Sequence, residues 1–159
     1  MVEDATLVAA TITMGLMAGV FGLYSHTLMP GLARTDDRTF VGAFQSIDRT
    51  ILNVWFIPVF IGALVLTGAA ALLHLGDGQA VVGWIIAAFV LYLVVVVITV
   101  AVNVPLNDAI KAAGEPDSIT DLAEVRRQFD EARWARWNLA RTLATTAAFV
   151  SLTVALVQD

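Results

Sequence analysis

Residues 78–107 read GQAVVGWIIAAFVLYLVVVVITVAVNVPLN, a stretch that contains no Asp, Glu, Lys or Arg. A helix needs only about 20 apolar residues to cross the roughly 30 Å of hydrocarbon in a bilayer. The β-branched run at 94–100 would favour a strand in water. In lipid, however, a spanning segment must satisfy its backbone hydrogen bonds internally, which favours a helix. The stretch therefore predicts a transmembrane helix.

Three more stretches lack charged side chains, at residues 5–33, 50–76 and 142–158. The last is the shortest, and the long side chain of Arg141 can reach the lipid interface and extend it. Hydrophobic residues make up 58% of the chain and charged residues 14%, and the mean hydropathy is +0.80. A soluble domain of this length lacks the polar residues to cover such a surface. The sequence predicts an all-α membrane protein whose four spans cover, with approximate bounds, 5–28, 51–74, 79–103 and 139–158.

The basic residues all lie between spans 1 and 2 or around the connection between spans 3 and 4. They are Arg34, Arg38, Arg49, Lys111, Arg126, Arg127, Arg133, Arg136 and Arg141. By the positive-inside rule, these two connections face the cytoplasm. We therefore predict a multi-pass protein of the cytoplasmic membrane with both termini extracytoplasmic. The expected architecture is one domain over residues 1–159, a membrane four-helix up-down bundle with cytoplasmic helical extensions.

Both basic connections carry helical signals. After an acidic cap cluster, apolar residues such as Phe40 and Phe44 recur at helical spacing, which predicts an amphipathic helix over about residues 37–50 that runs into span 2. Ser118–Asp121 has capping-box spacing and predicts a second helix over about 119–138. We expect that helix to continue into span 4 without interruption.

Span 1 contains small residues at helical spacing, and spans 1 and 3 have prolines near their ends. Gly15, Gly19 and Gly22 follow one another at helical spacing in span 1, which favours close approach of a neighbouring helix. Span 1 is expected to end at Pro30, and span 3 near Pro105, because proline removes a backbone donor and clashes with the preceding turn.

Polar side chains gather at the cytoplasmic ends of the four spans. They are His26, Gln45, Arg49, Asn53, Asn103, Asn107, Asp108, Trp134, Arg136, Trp137, Asn138 and Arg141. These ends meet in an up-down bundle, and convergent polar groups over an apolar pocket are typical of a binding site. Each residue alone also has a structural interpretation, since Arg and Trp anchor helices at the lipid interface and amides satisfy frayed backbone groups.

Metal, haem and nucleic-acid chemistry are poorly supported. The chain has no Cys, and its two histidines, His26 and His74, lie at opposite ends of the membrane, about 30 Å apart. A facial-triad iron site, a His-rich zinc or copper site and a bis-His haem each need at least two neighbouring His or Cys ligands. The net charge of −5 disfavours nucleic acid as a partner. We predict no metal, no cofactor and no nucleic-acid partner; a single-His metal site with Asp48 or Asp108 is not indicated.

Four segments carry a family resemblance. They are MPGLAR at 29–34, FQSIDR at 44–49, NVPLND at 103–108 and RWARWNLAR at 133–141. Together they resemble the anthrone oxygenase-like family of small four-span membrane proteins, over nearly the whole chain. Characterised fungal members of that family are associated with oxidising anthrones to anthraquinones.

The resemblance implies a site for a small aromatic or lipid-like ligand. Oxidation of an anthrone begins with proton loss from carbon, so it needs a base, donors for the oxyanion and flat apolar walls. We expect His26 as the base and Arg49 as the second catalytic residue. The expected substrate-binding residues are Phe44, Gln45, Asn53, Asn103, Asn107, Asp108, Trp134, Trp137, Asn138 and Arg141. The absence of a cofactor motif fits a cofactor-independent route.

Two non-enzymatic interpretations compete with this one. The polar cluster could simply lock the bundle of a membrane scaffold or accessory subunit. A carrier or channel is less favoured, because no charged residue lies in the middle of a span and no span is broken there. The sequence leaves the oligomeric state open, a homo-oligomer included.

Overall fold

The computed structural model describes residues 1–76 and 78–158, and every regular element within them is helical. In chain order the elements are α1 (Val2–Leu23), the π-helical segment π1 (Tyr24–Leu28), α2 (Met29–Leu32), α3 (Asp37–Ile51), α4 (Phe56–Leu73), α5 (Gln79–Ile98), the π-helical segment π2 (Thr99–Asn103), α6 (Val104–Ala112), α7 (Leu122–Phe129) and α8 (Glu131–Gln158).

Four helical stretches are long and apolar enough to cross a membrane. They are Val2–Leu32, Phe56–Leu73, Gln79–Ala112 and Leu122–Gln158. Large apolar side chains such as Leu16, Val65 and Leu143 are exposed along their outer faces. Exposed apolar surface on this scale suits a lipid solvent rather than water. The predicted all-α membrane bundle of four spans is thus confirmed.

The spans pack in a closed ring. α1 contacts α4 and α8, and α5 contacts the same two helices from the other side. The interior is filled by fully buried side chains from all four helices, such as Leu7, Ile85 and Leu152. Tyr92 also lies in this core and donates a 3.1 Å hydrogen bond to the backbone carbonyl of Phe60, which ties α5 to α4.

The helix is not broken at either of the two span ends that contain proline. Pro30 lies two residues after π1, and Pro105 lies two residues after π2. Proline clashes with the carbonyl four residues back, and the wider π turn moves that carbonyl out of the way. The predicted ends of the helices at Pro30 and near Pro105 are therefore wrong, because the chain stays helical to Leu32 and to Ala112.

The small residues of span 1 do not form a single packing face. A Cβ on Gly15 would lie 2.9 Å from Phe149 Cε2, so a neighbouring helix does approach closely there. A Cβ on Gly19 would meet nothing within 4 Å, and on Gly22 only Thr142, at 4.0 Å. The expected packing groove therefore reduces to Gly15, and Gly19 faces outward.

The end of the bundle that carries α2, α3, α6 and α7 is called the polar end below. A second apolar cluster sits there, formed by Met29, Phe40, Val41, Phe44, Ile110, Phe129 and Trp134. Arg126 holds it together from α7: its guanidinium donates to the carbonyls of Thr35 and Ala33 and lies 4.2 Å from the Phe40 ring centroid. Asp36 caps α3 by accepting from Thr39 N at 2.8 Å, and this hydrogen bond lowers the pKa of Asp36.

Two predicted continuous helices are interrupted. The helix expected from residue 119 into span 4 breaks at Asp130, whose φ of 52° is left-handed, a conformation that Asp adopts more readily than most residues. The Asp130 carboxylate then accepts from Arg133 N at 3.1 Å and caps α8. Similarly, Asn53 separates α3 from α4 by accepting from the backbone N–H groups of Trp55 and Phe56.

Candidate functional site

A cavity of about 110 Å³ lies between the spans at the polar end. The cavity is lined by residues of α1, π1, α3, π2, α6 and α8 and of the segment where α4 begins. They are Val20, Phe21, Tyr24, Phe44, Asp48, Ile51, Leu52, Phe56, Thr99, Asn103, Val104, Asn107, Asp108, Lys111, Trp134 and Arg141. Dry apolar cavities of about 150 Å³ accept a benzene molecule. The enclosed space therefore has the scale of one aromatic ring.

The cavity wall is largely aromatic. Trp134 is part of it and lies 5.7 Å from the ring of Tyr24 and 5.7 Å from that of Phe44, measured between ring centroids. Phe21 and Phe56 complete the aromatic lining. Flat, apolar walls of this kind suit a planar aromatic ligand.

Both π-helical segments contribute to the wall. Tyr24 begins π1, while Thr99 and Asn103 begin and end π2. π turns are rare and recur at functional sites. The Tyr24 hydroxyl has no hydrogen-bond partner in the described part of the chain, and both Asp48 and Arg141 lie close enough to act on it electrostatically.

A chain of polar contacts runs from the aromatic wall to the surface. Trp134 Nε1 donates to Asn107 Oδ1 at 2.7 Å, and Asn107 Nδ2 donates to Asp48 Oδ1 at 2.6 Å. Lys111 Nζ lies 2.7 Å from Asp48 Oδ2 and 3.1 Å from Asp108 Oδ1. Because Asp48 is 7% exposed and the Asp108 side chain 63% exposed, the chain links the buried carboxylate to solvent.

Arg141 places a cation in the cavity wall. The residue is 5% exposed. Its Nη1 donates to Thr99 Oγ1 at 3.0 Å, and its Nη2 donates to Asn138 Oδ1 at 2.8 Å. The guanidinium carbon lies 4.5 Å from the ring centroid of Phe21 and 5.6 Å from that of Trp134. Within residues 1–76 and 78–158, Arg141 has no acidic partner.

Asn138 fixes Arg141 to span 1. It is fully buried, and its Nδ2 donates to the Phe21 carbonyl at 3.1 Å and to Ser25 Oγ at 2.7 Å. Its Oδ1 accepts from Arg141, so one amide side chain bridges α1, π1 and the guanidinium. Asn138 itself does not line the cavity, and its function in the fold is to hold the residues that do.

The structure brings six of the sequence-predicted site residues to the cavity. They are Phe44, Asn103, Asn107, Asp108, Trp134 and Arg141. The other six, His26, Arg49, Gln45, Asn53, Trp137 and Asn138, lie outside it. Half of the predicted residues therefore line one cavity, and their function as a site stays a prediction.

The two residues expected to be catalytic lie at the surface. His26 is exposed on π1, with Nδ1 2.6 Å from the hydroxyl of its neighbour Thr27. α-Helical spacing also places His26 on the outer face, because it follows the buried Met17 by nine residues, about 180° around the helix. Arg49 pairs with Glu115 at 3.0 Å on the exposed face of α3. Neither residue lines the cavity in this structure.

The remaining three residues outside the cavity have structural contacts. Gln45 Nε2 donates to the carbonyls of Ile110 and Gly114, which closes the end of α6. Asn53 forms the turn before α4. Trp137 is 40% exposed, as expected of an aromatic residue at the lipid interface.

Sequence reasoning did not include Tyr24, Thr99 or Lys111 in the site, and it considered Asp48 only as a metal ligand. Helical spacing contained part of the missing signal, because Lys111 follows Asn107 by four residues and so shares its face. In the parts of the chain that the structure describes, no group of three or more His, Cys, Asp or Glu side chains is arranged to hold a metal ion.

Comparison with known proteins supports one family. The family model described as "Anthrone oxygenase" matches residues 53–151, well over half of the chain. The match runs from Asn53, before α4, to Ser151 within α8, and it includes the cavity residues on π2, α6 and α8. Searches of the curated proteins and of the solved structures each returned no match. The chain belongs to the anthrone oxygenase family.

Proposed function

We propose that this membrane protein oxidises a small planar aromatic compound of the anthrone type in the cavity at the polar end. The observation that carries the proposal is the aromatic cavity bordered by the buried carboxylate of Asp48. Family membership favours the same chemistry, although a fold alone does not establish a reaction.

The cavity suits part of such a ligand rather than all of it. Its enclosed volume of about 110 Å³ matches one ring, so the remainder of a tricyclic molecule would lie at the opening. Leu52 and Val104, which line the cavity, are 57% and 40% exposed. These apolar side chains would cover the outer part of the ligand at the membrane boundary.

Asp48 is the residue best placed to move protons. It removes a proton from the ligand's CH₂ group, and the electron pair left on the enolate reduces dioxygen and forms a C–O bond. The peroxide oxygen takes the proton back from Asp48. Loss of the second C–H proton then cleaves the O–O bond, so one anthrone and one dioxygen give one quinone and one water. Asn107 and Lys111 orient the carboxylate throughout.

Oxygen uptake and quinone absorbance, measured with anthrone and the purified protein, test the proposal. Because a general base contributes about 10²–10⁴-fold to rate, Asp48→Asn should lower turnover by that factor. Asp117→Asn is the matched control, since it makes the same change at an exposed carboxylate of the polar end, and it should keep full activity. His26→Ala should also remain active, in contrast to the expectation from sequence.

Two results would contradict the proposal: a wild-type rate no higher than that of anthrone oxidising without protein, or full activity in Asp48→Asn. A protein that shows no turnover, but unfolds when its polar contacts are removed, would favour the scaffold interpretation. In that case the buried network would serve stability alone.

A further inference from the structure

We propose that the ligand of this cavity binds as an aromatic oxyanion, with its negative oxygen against the guanidinium of Arg141. The inference rests on the cavity of the proposed function and adds the charge state of its ligand. It does not depend on the oxidation step.

The first argument is the missing counter-ion. Buried charges in proteins are normally paired, because an unpaired charge away from water costs several kcal/mol. Arg141 is 5% exposed, and its only hydrogen-bond acceptors in the described chain are a hydroxyl and an amide oxygen. The Phe21 and Trp134 rings stabilise the cation in part, but they supply no negative charge.

The other charges at the cavity do not fill this role. Lys111 lies between Asp48 and Asp108 and pairs with both of them. The Asp108 side chain is 63% exposed, so water screens most of its charge. The positive charge of Arg141 therefore has no negative partner among the described residues.

The geometry leaves donors available for a ligand. A guanidinium carries five N–H groups, and Arg141 uses two of them in its hydrogen bonds to Thr99 and Asn138. Its buried Nε is without a partner among the described residues. The two hydrogen bonds hold the planar fork in place, which suits recognition of an oxyanion. The Tyr24 hydroxyl, also on the wall, is a second neutral donor.

These groups define the ligand class as a planar aromatic compound with an ionised oxygen: a phenolate, an enolate or a carboxylate. The same contact would favour an enolate over its neutral parent, so it would lower the free energy of the intermediate in the proposed oxidation.

The inference is tested by measuring, by calorimetry, the affinities of two probes for the purified wild-type protein. The probes are anthraquinone-2-carboxylate and its neutral carboxamide, neither of which is a substrate for the proposed oxidation. A hydrogen bond to a charged group is worth about 1.5–3 kcal/mol, so the carboxylate should bind about ten- to a hundredfold more tightly. Equal affinities would overturn the inference, whether or not the protein oxidises anthrone.

Two variants sharpen the test. Arg141→Gln should remove the preference for the carboxylate, whereas Arg136→Gln, at an exposed position on the same helix, should keep it. Because Arg141→Gln risks misfolding, Asn138→Asp offers a second route. It replaces the amide oxygen 2.8 Å from Arg141 Nη2 by a carboxylate, and this internal counter-ion should weaken binding of the anionic probe but not of the neutral one.

The outcomes separate this inference from the proposed function. A carboxylate preference that depends on Arg141, found in a protein that oxidises no anthrone, would support the anion site and contradict the oxidation. Turnover of anthrone together with a preference that survives Arg141→Gln or Asn138→Asp would support the oxidation and overturn the anion site.

Discussion

Replacing Asn138 by alanine tests the contact that joins spans 1 and 4 at the cavity. The change removes two hydrogen bonds donated to Phe21 O and Ser25 Oγ and one accepted from Arg141. Hydrogen bonds between membrane helices are worth about 0.6 kcal/mol on average, and one to a charged group about 1.5–3 kcal/mol. The sum is about 3–4 kcal/mol, from which the better helix propensity of alanine subtracts up to about 0.7 kcal/mol.

We therefore expect Asn138→Ala to lower the free energy of unfolding by about 2 to 3.5 kcal/mol. The measurement is a denaturant titration in mild detergent, followed by circular dichroism. Thr146→Ala is the control on the same helix, because the exposed Thr146 hydroxyl bonds only to the Thr142 carbonyl one turn earlier. Its free energy of unfolding should change by no more than about 0.5 kcal/mol.

A loss below about 1 kcal/mol for Asn138→Ala, the size of a single ordinary hydrogen bond, would refute this reasoning. It would mean that the three contacts contribute little and that the amide is not what holds Arg141 in position. The anion site would then lack the rigid support on which its geometry depends.

Two further predictions concern packing and orientation. Gly15→Leu should destabilise the bundle by about 1–3 kcal/mol through overpacking against Phe149, whereas Gly19→Leu should melt at or above the wild-type temperature; equal melting temperatures for the two variants would refute the assignment of faces. A reporter fused at the C-terminus should label the extracytoplasmic side and one inserted at Gly114 the cytoplasm, as the positive-inside rule requires, and the same signal from both would reverse or remove the predicted topology.

Hydropathy predicted the four spans because lipid leaves the backbone no alternative to a helix, even in the β-branched run at 94–100. The up-down order also explains why Asn107 and Trp134, distant in sequence, were expected at one end of the bundle, where they form a 2.7 Å hydrogen bond. Both conclusions follow from length and composition alone.

The direction of individual side chains was not predictable in the same way. The assignment of His26 followed from its place at the end of span 1, where it lies on the outer face while Tyr24 lines the cavity. The assignment of Arg49 assumed that α3 continues into span 2, whereas the Asn53 turn separates the two helices. This interruption leaves only a weak local signal, an asparagine.

The two π turns also link two features of the sequence: the number of residues at a span end and the presence of a proline just after it. Each holds one residue more than an α turn, so deleting one residue there restores a regular helix with its flanking faces unchanged. A deletion elsewhere in the span rotates everything beyond it by about 100°. Pro30 opposes the first change, because its ring would then meet the carbonyl one α turn back. Relatives without this proline should therefore be one residue shorter between Tyr24 and Leu28, and relatives that keep it should keep the full length.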